Sequence, residues 1–218
     1  MKTLILAVLA AVMLTLPASA VAAPRCDPKT TALQERLTEL HYPTGGVDGC
    51  AGASTKAAVQ AFQKANGLTP DGVVGAKTRA ALEAPATVEP VSTRKARHVE
   101  VDLERQLLVV AAAGQVERIY SVSTGMKGHD TPTGTFKIGR KEKRSWSVPY
   151  KVWLPYASYF TSDGVAFHAG TTSVANASHG CVRVPEGFAR EIYDLLTPGT
   201  TVIVTPWWTP TPSRSSAG

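Results

Sequence analysis

The chain has 218 residues, of which 44% are hydrophobic and 18% are charged, and its formal net charge is +6. This is the composition of a globular protein, and the length is sufficient for one large domain or for two modest domains with separate cores. The positive charge requires no nucleic acid, and it keeps a protein soluble as readily as it attracts an anionic partner. Charge alone therefore assigns no function.

Residues 1–20 have the pattern of a secretory signal peptide. A lysine precedes an apolar stretch from Leu4 to Leu14, and the segment ends in the small-residue pattern of a cleavage site after Ala20. The stretch is shorter than the roughly 20 residues that span a bilayer, so a retained membrane anchor is the weaker alternative. We expect a secreted, extracytoplasmic protein that has no stable membrane anchor.

The chain contains three cysteines, and an exported protein with three cysteines has one left over once a disulfide forms. Cys26 and Cys50 lie together in the first part of the chain, where a disulfide would stabilise an undersized core. Cys181 is then the unpaired thiol. In an oxidising compartment such a thiol is a liability unless it is buried or used.

Residues 26–84 are predicted to form a small bundle of three helices. Asp27 and Pro28 are typical of a helix cap and a first helical residue, and leucines recur after them at helical spacing. Ser54 is expected to cap a second helix that stops at Gly67, and a third, shorter helix follows.

Two similar turns separate these helices, GGVDG at 45–49 and TPDGVVG at 69–75. Each places Asp-Gly where the chain adopts positive φ. With ALQERLTEL before them and STKAAVQAFQKANGL between them, the segment resembles the three-helix type of peptidoglycan-binding domain. The resemblance implies a targeting module that binds wall material, a generic helical spacer being the alternative, and no residue in it is expected to be catalytic.

Residues 85–97 lack periodicity and contain prolines and charges, which is typical of a linker. The hydrophobic period then changes to two, and residues 98–206 are predicted to form a mainly β domain, a sandwich or barrel-like sheet, with one helix from Pro185 to Leu196. Residues 207–218 form a C-terminal tail. The expected fold class is thus an α+β multidomain protein, in which a three-helix bundle precedes the β domain.

Cys181 lies in the sequence ASHGCVRV. Alternate side chains share a face on an extended backbone, so His179, Cys181 and Arg183 are predicted to point the same way. Positive charge beside the sulfur would favour the nucleophilic thiolate. Gly180 would let a substrate approach the backbone, and the Gly180 and Cys181 amides would donate to a developing oxyanion. A small buried thiol is the alternative interpretation.

A second histidine, His168, ends the strand segment GVAFH and is close enough in sequence to reach the same sulfur. A zinc site is the metal alternative, but the other two cysteines lie in the other domain and no CxxC spacing is present. We expect no metal and no cofactor.

Four motifs occur in the order STG at 123–125, TPTGTFKI at 131–138, FHAG at 167–170 and SHGCVRV at 178–184. Together they resemble the L,D-transpeptidase catalytic domain of the YkuD type, over about residues 97–205. The resemblance implies an acyltransferase of cell wall biogenesis and cell shape. A cysteine attacks a tetrapeptide stem of peptidoglycan, releases D-alanine and forms a thioester, and an amine acceptor then resolves the thioester into a cross-link.

By motif position, the resemblance makes Cys181 the nucleophile and His168 the general base, while His179 and the Gly180 amide are orienting or oxyanion groups. His179 remains the alternative base. Ala169 stands where some members of the family carry serine beside the base, so a backbone carbonyl would have to orient the imidazole.

The resemblance also implies substrate contacts. Arg183 would meet a stem carboxylate, the turn at Asp163 and Gly164 would border the donor strand, and Ser178 would line the site unless it is only a turn residue. The expected partners are peptidoglycan stem peptides and, by resemblance, carbapenem-type inhibitors.

Other functions remain open at this point. A wall hydrolase or carboxypeptidase would use the same thioester, and a catalytically inactive wall-binding protein would keep the thiol buried. Among other cysteine enzymes, an NlpC/P60-type endopeptidase places its cysteine before its histidine, and a sortase lacks the S-H-G-C tetrad.

Overall fold

The computed structural model describes residues 26–173 and 175–206, so the predicted signal peptide and C-terminal tail lie outside the described residues. The first domain contains three helices, α1 (Pro28–Glu39), α2 (Ala53–Ala65) and α3 (Ala76–Glu83). The predicted three-helix bundle is confirmed.

The beginning of α1 confirms the predicted cap, whereas the beginning of α2 does not. One carboxylate oxygen of Asp27 accepts hydrogen bonds from the backbone N–H groups of Lys29 and Thr30, at 2.8 and 2.9 Å. Helix α2 starts before Ser54, with Gly52 at the cap position and no side-chain cap bond. Ser54 is therefore the second residue of α2 rather than its cap.

Two buried glutamines hold the two similar turns in the same way. The side-chain amide of Gln34 donates to Asp48 at 2.8 Å and accepts from the Gly49 N–H at 2.8 Å. The Gln63 amide likewise donates to Asp71 at 2.8 Å and accepts from the Gly72 N–H at 2.8 Å. Each turn is thus fixed by one fully used side chain, which satisfies backbone groups that the tight turn leaves unpaired.

The second domain consists of two β-sheets and a helix. Its elements are β1 (His98–Asp102), β2 (Leu107–Ala112), β3 (Gln115–Ser121), β4 (Gly134–Lys137), β5 (Lys141–Ser147), β6 (Val152–Tyr159), β7 (Ala166–Ala169), β8 (Val182–Val184), α4 (Ala189–Leu195) and β9 (Thr201–Thr205). The strand order is β3-β2-β1-β9-β4 in one sheet and β5-β6-β7-β8 in the other. The predicted mainly β domain is confirmed.

The two sheets enclose one apolar core, whose buried members include Val101, Val110, Phe167 and Val204. A short 3-10 turn at Glu186–Phe188 and then α4 replace the single helix that was predicted from Pro185 onward. Helix α4 closes one side of this core through Ile192, and Leu196, which directly follows the helix, packs into the same core.

Each domain contributes residues to the core of the other. Ala57 of α2 packs into the core of the β domain, while Leu107 and Ile119 of the β domain pack into the core of the helical bundle. The Ile119 N–H also donates to the carbonyl of His41, which follows α1, at 2.8 Å. The two cores therefore share residues across the domain boundary, because α2 lies directly on β2 and β3.

The segment between the domains is attached to the β-sheet. The carboxylate of Glu100 is fully buried and accepts from the Val91 and Ser92 N–H groups at 2.8 and 2.9 Å. A ring nitrogen of His98 lies 3.0 Å from the same carboxylate. The segment has no helix or strand of its own, but its path is set by these bonds.

Cys26 and Cys50 form a disulfide, as expected, and Cys181 is a free thiol.

Candidate active site

Strand pairing brings the two residues of the proposed catalytic pair, His168 and Cys181, onto neighbouring strands. Strands β7 and β8 are parallel neighbours, with Phe167 opposite Val182 and His168 opposite Arg183. Cys181 directly precedes β8 and therefore lies beside the start of β7, next to Ala166. Because side chains alternate along a strand, His168 and Cys181 belong to the same face of this sheet.

The environment of His168 defines its tautomer. Its Nδ1 lies 2.8 Å from the Ala169 carbonyl oxygen, and a carbonyl can only accept, so Nδ1 carries the hydrogen and Nε2 keeps a free lone pair. The expectation that a backbone carbonyl orients this imidazole is confirmed. Burial lowers the pKa of His168, and the nearby charge of Arg183 lowers it further, so the ring is neutral at neutral pH.

The Cys181 thiol is half-buried and packs against an apolar cluster formed by Leu154, Ala157, Tyr159 and Ala166. Burial raises its pKa, and the negative charge of Asp163 raises it further, while the Ala166 backbone and Arg183 oppose this effect. The predicted preference for thiolate is therefore wrong for the resting site. Burial removes more hydration from the thiolate than the nearby charge of Arg183 can replace, so the neutral thiol is favoured. The resting pair consists of a neutral thiol and a neutral imidazole.

Residues 177–181, which precede β8 and are called the cysteine loop below, are held by hydrogen bonds that involve two of the predicted site groups. The Ser178 hydroxyl donates to the Cys181 carbonyl and accepts from the Gly180 N–H at 3.1 Å, and Ser178 is 1% exposed. A hydroxyl placed in this way fits a positioning role rather than the predicted substrate contact. Since the Gly180 amide is also occupied, the Cys181 amide is the remaining backbone candidate for an oxyanion donor.

The sequence analysis did not identify Thr131, whose hydroxyl connects this loop to the STG motif. The Thr131 hydroxyl donates to the Gly180 carbonyl at 2.8 Å and accepts from the Gly125 N–H at 2.9 Å. Its position in the TPTGTFKI motif was noted, but the motif by itself does not show which atoms it reaches. Gly125 also has no room for a side chain, because an added Cβ would lie 2.0 Å from the His129 carbonyl oxygen.

His179 does not share a face with Cys181 in the predicted way. Gly180 adopts a φ of +109°, which breaks the extended path on which the prediction depended. The exposed His179 ring instead stacks on Tyr150, with 4.3 Å between ring centroids, and meets the His129 ring edge-on at 4.8 Å. Tyr150 lies at the tip of the β5–β6 hairpin, so this hairpin reaches over the cysteine loop.

The other predicted contacts surround the thiol. Arg183 is half-buried, its methylene groups lie over Gly170, and it forms no salt bridge within residues 26–173 and 175–206. Asp163 and Gly164 form an exposed turn, and the Gly164 carbonyl oxygen lies 4.0 Å from the Cys181 sulfur. A cation and an exposed turn thus border the sulfur.

A second concave surface lies on the helical domain, away from the thiol. This groove has a volume of about 1300 Å³ and is lined by apolar residues such as Leu33, Val73 and Leu82, with Arg36 and Arg79 beside them.

Two family models match the chain. Residues 96–204 match the L,D-transpeptidase catalytic domain (YkuD), and residues 27–82 match a peptidoglycan binding domain.

Solved structures and curated proteins include similar chains. The L,D-transpeptidase of Xylanimonas cellulosilytica is 34% identical over 87% of this chain and 100% of that chain, with a TM-score of 0.74. The L,D-transpeptidase of Stackebrandtia nassauensis is 31% identical over 90% of this chain and 100% of that chain, with a TM-score of 0.55. L,D-transpeptidase 1 of Mycobacterium tuberculosis is 27% identical over 144 residues, and the chain spans only 57% of the length of that curated relative.

Proposed function

Because the chain belongs to the YkuD family of L,D-transpeptidases, we propose that it is a cysteine-dependent acyltransferase that cross-links the tetrapeptide stems of peptidoglycan. The observation that carries the proposal is the parallel pairing of β7 with β8, which places Cys181 and His168 on one face of the sheet, together with the commitment of His168 Nδ1 to a backbone carbonyl. A buried neutral base beside a thiol is suited to acyl transfer.

In the first half-reaction, the Cys181 sulfur attacks the carbonyl carbon of the third stem residue, and the thiol proton passes to Nε2 of His168. The tetrahedral intermediate collapses when the C–N bond to D-alanine breaks. His168 then returns the proton to the departing amine, and the acyl group remains on sulfur as a thioester.

In the second half-reaction, an amine of a neighbouring stem attacks the thioester carbonyl and gives a proton to His168. The C–S bond breaks, and the sulfur takes the proton back. The products are an amide cross-link and the free enzyme. Water in place of the amine would give hydrolysis, so the acceptor decides between transpeptidase and carboxypeptidase.

The surrounding groups have supporting roles in this proposal. The Cys181 amide, with His179 nearby, stabilises the oxyanion, and Ser178 positions the loop that carries them. Arg183 binds a carboxylate of the stem through its guanidinium, which forms no salt bridge with any residue that the structure describes. The turn at Asp163 and Gly164 borders the donor strand.

The helical domain is proposed to bind peptidoglycan through its apolar groove. This domain and the disulfide fit an extracytoplasmic location, since disulfides persist in oxidising compartments. Export through the predicted signal peptide remains part of the proposal. By family resemblance, carbapenems should acylate Cys181.

The test is to compare the wild type with Cys181→Ser on tetrapeptide donors, using mass spectrometry to detect D-alanine and the acyl-enzyme. We expect both products to disappear in the variant, because a hydroxyl ionises far less readily than a thiol. Muropeptides added as acceptors separate cross-linking from hydrolysis by product mass. D-alanine release that survives in Cys181→Ser would refute the proposal, and a wild type that forms no thioester would favour an inactive wall-binding protein.

A further inference from the structure

A lysine of the helical domain reaches into the β domain. Lys64 lies on α2 and is 7% exposed. Its ammonium group donates to the Val122 carbonyl at 2.7 Å and to the Thr172 carbonyl at 2.9 Å. Both acceptors belong to the β domain, so this one side chain joins three segments of the fold.

The two acceptors belong to segments that frame the cysteine loop. Val122 precedes Ser123, whose backbone exchanges two hydrogen bonds with Arg183, at 2.9 and 3.1 Å. Thr172 lies in the connection that runs from the base strand β7 to the cysteine loop. Lys64 therefore ties this connection to the segment against which the cysteine loop is paired.

The contact is not a simple packing contact. Within residues 26–173 and 175–206, Lys64 forms no salt bridge, so its charge is balanced only by carbonyl dipoles. Burial lowers the pKa of Lys64 to about 8, which shows that the environment disfavours the charged form. An apolar side chain would fill the same space without this cost. It would remove the Lys64 donor from the Val122 carbonyl and leave the Thr172 carbonyl with only the longer bond from the Ser121 hydroxyl, at 3.3 Å.

We propose that Lys64 is a positioning residue for acyl transfer, which the helical domain supplies to hold the connection between His168 and Cys181 in its working geometry. This inference rests on the proposed function of the Cys181 site. It makes the helical domain a structural part of the active site as well as a wall-binding module.

The experiment compares four full-length proteins: wild type, Lys64→Met, Lys64→Arg and Lys77→Met. Lys64→Met keeps the length of the side chain and removes the donor, and Lys64→Arg restores a donor. Lys77 is an exposed lysine of α3, so Lys77→Met is the matched control. Carbapenem adduct formation is followed by mass, which gives the fraction of competent sites and the acylation rate constant per site separately.

We expect Lys64→Met to lower the rate constant per competent site by about 10- to 100-fold, because small displacements of reacting groups cost that much. Lys64→Arg should recover most of the rate, and Lys77→Met should match the wild type. A merely structural role would change the fraction of competent sites and leave the rate constant intact. An unchanged rate constant in Lys64→Met would overturn the proposal.

Two further comparisons apply if Lys64→Met does not fold or if the wild type forms no adduct. If Lys64→Met does not fold, Lys64→Leu, which also lacks a donor, replaces it, and a rate for Lys64→Leu equal to that of Lys64→Arg would overturn the proposal. If the wild type itself forms no adduct, the proposed function fails, and the variants are then compared by the rate at which iodoacetamide alkylates Cys181. That rate needs no substrate, and an equal rate in all variants would overturn the positioning role as well.

Discussion

At the scale of single residues, the site depends on burial more than on charge. Both Cys181 and His168 lose hydration in the fold, which shifts the pKa of the thiol upward and that of the imidazole downward. Both shifts favour the neutral forms. The proton must therefore move during the attack, and in the proposed mechanism it passes to Nε2 of His168, because Nδ1 is committed to the Ala169 carbonyl.

The first prediction concerns the pH dependence of Cys181 alkylation by iodoacetamide. The rate should keep rising through a pKa above the ordinary thiol value of about 8.5. Asp163→Asn should move the midpoint to lower pH, because it removes a negative charge that opposes the thiolate, and Arg183→Gln should move it to higher pH. Mass spectrometry of the Cys181 peptide between pH 5 and about 10 measures this. A plateau already reached below neutral pH would mean a resting thiolate and would contradict the prediction.

The second prediction separates the two histidines. His168→Gln should lower the rate of D-alanine release by about 10²- to 10⁴-fold, because it removes the proton carrier. His179→Gln should lower it less, since the His179 ring is exposed and stacks on Tyr150. Thermal denaturation of both variants provides the control for folding. A larger loss in His179→Gln would assign the base to His179.

At the scale of elements, the cysteine loop is positioned by segments that are distant in sequence. Ser178 ties the loop to itself, and Thr131 ties it to the motif that follows β3. The tip of the β5–β6 hairpin covers it through the stacking of Tyr150 on His179. A loop with so many fixed atoms holds its amide groups in place before substrate arrives, which favours oxyanion binding.

The third prediction tests this fastening. Thr131→Val keeps the shape of the side chain but leaves the buried Gly180 carbonyl and Gly125 amide without partners, so it should lower the free energy of unfolding by about 1–3 kcal/mol. Urea denaturation measures the change. Thr133→Val is the control, since Thr133 is exposed in the same segment and should leave stability unchanged. Equal stabilities of the two variants would refute the role of Thr131.

At the scale of the whole molecule, the helical bundle and the β domain form one packed unit. Leu107 and Ile119 of the β domain pack against the helices, and Ala57 of the helical bundle packs against the sheets. The buried ammonium of Lys64 crosses the same boundary. Unfolding of either domain therefore exposes apolar surface of the other.

The fourth prediction follows from this shared packing. The double variant Cys26→Ser, Cys50→Ser should lose about 2–4 kcal/mol of stability, as is typical when a disulfide is removed. The described tryptophans, Trp146 and Trp153, lie in the β domain, so their fluorescence should report the same lowered midpoint as the circular dichroism of the helices. Cys181→Ser is the control that keeps the disulfide. Helices that melt well before the tryptophan signal changes would show that the domains unfold independently.

Much of the local structure could be predicted from the sequence, because its causes are local. The cap at Asp27 depends on neighbouring residues and occurs as predicted. Strand β5 was not predicted, because its sequence KEKRSWS is strongly charged and lacks clear alternation. It is an edge strand, and its pairing with β6 is what makes it a strand.

The sequence by itself determined the order of the elements, the disulfide pairing and the histidine and cysteine motifs of the candidate site, since these depend on residue type and spacing. Only the tertiary structure decided the charge state of Cys181, the bend at Gly180 that turns His179 toward Tyr150, and the reach of Lys64 across the domain boundary. The physical reason is that burial, hydrogen-bond partners and cation placement depend on which segments meet in space. The spacing of residues along the chain does not reveal these contacts between distant segments.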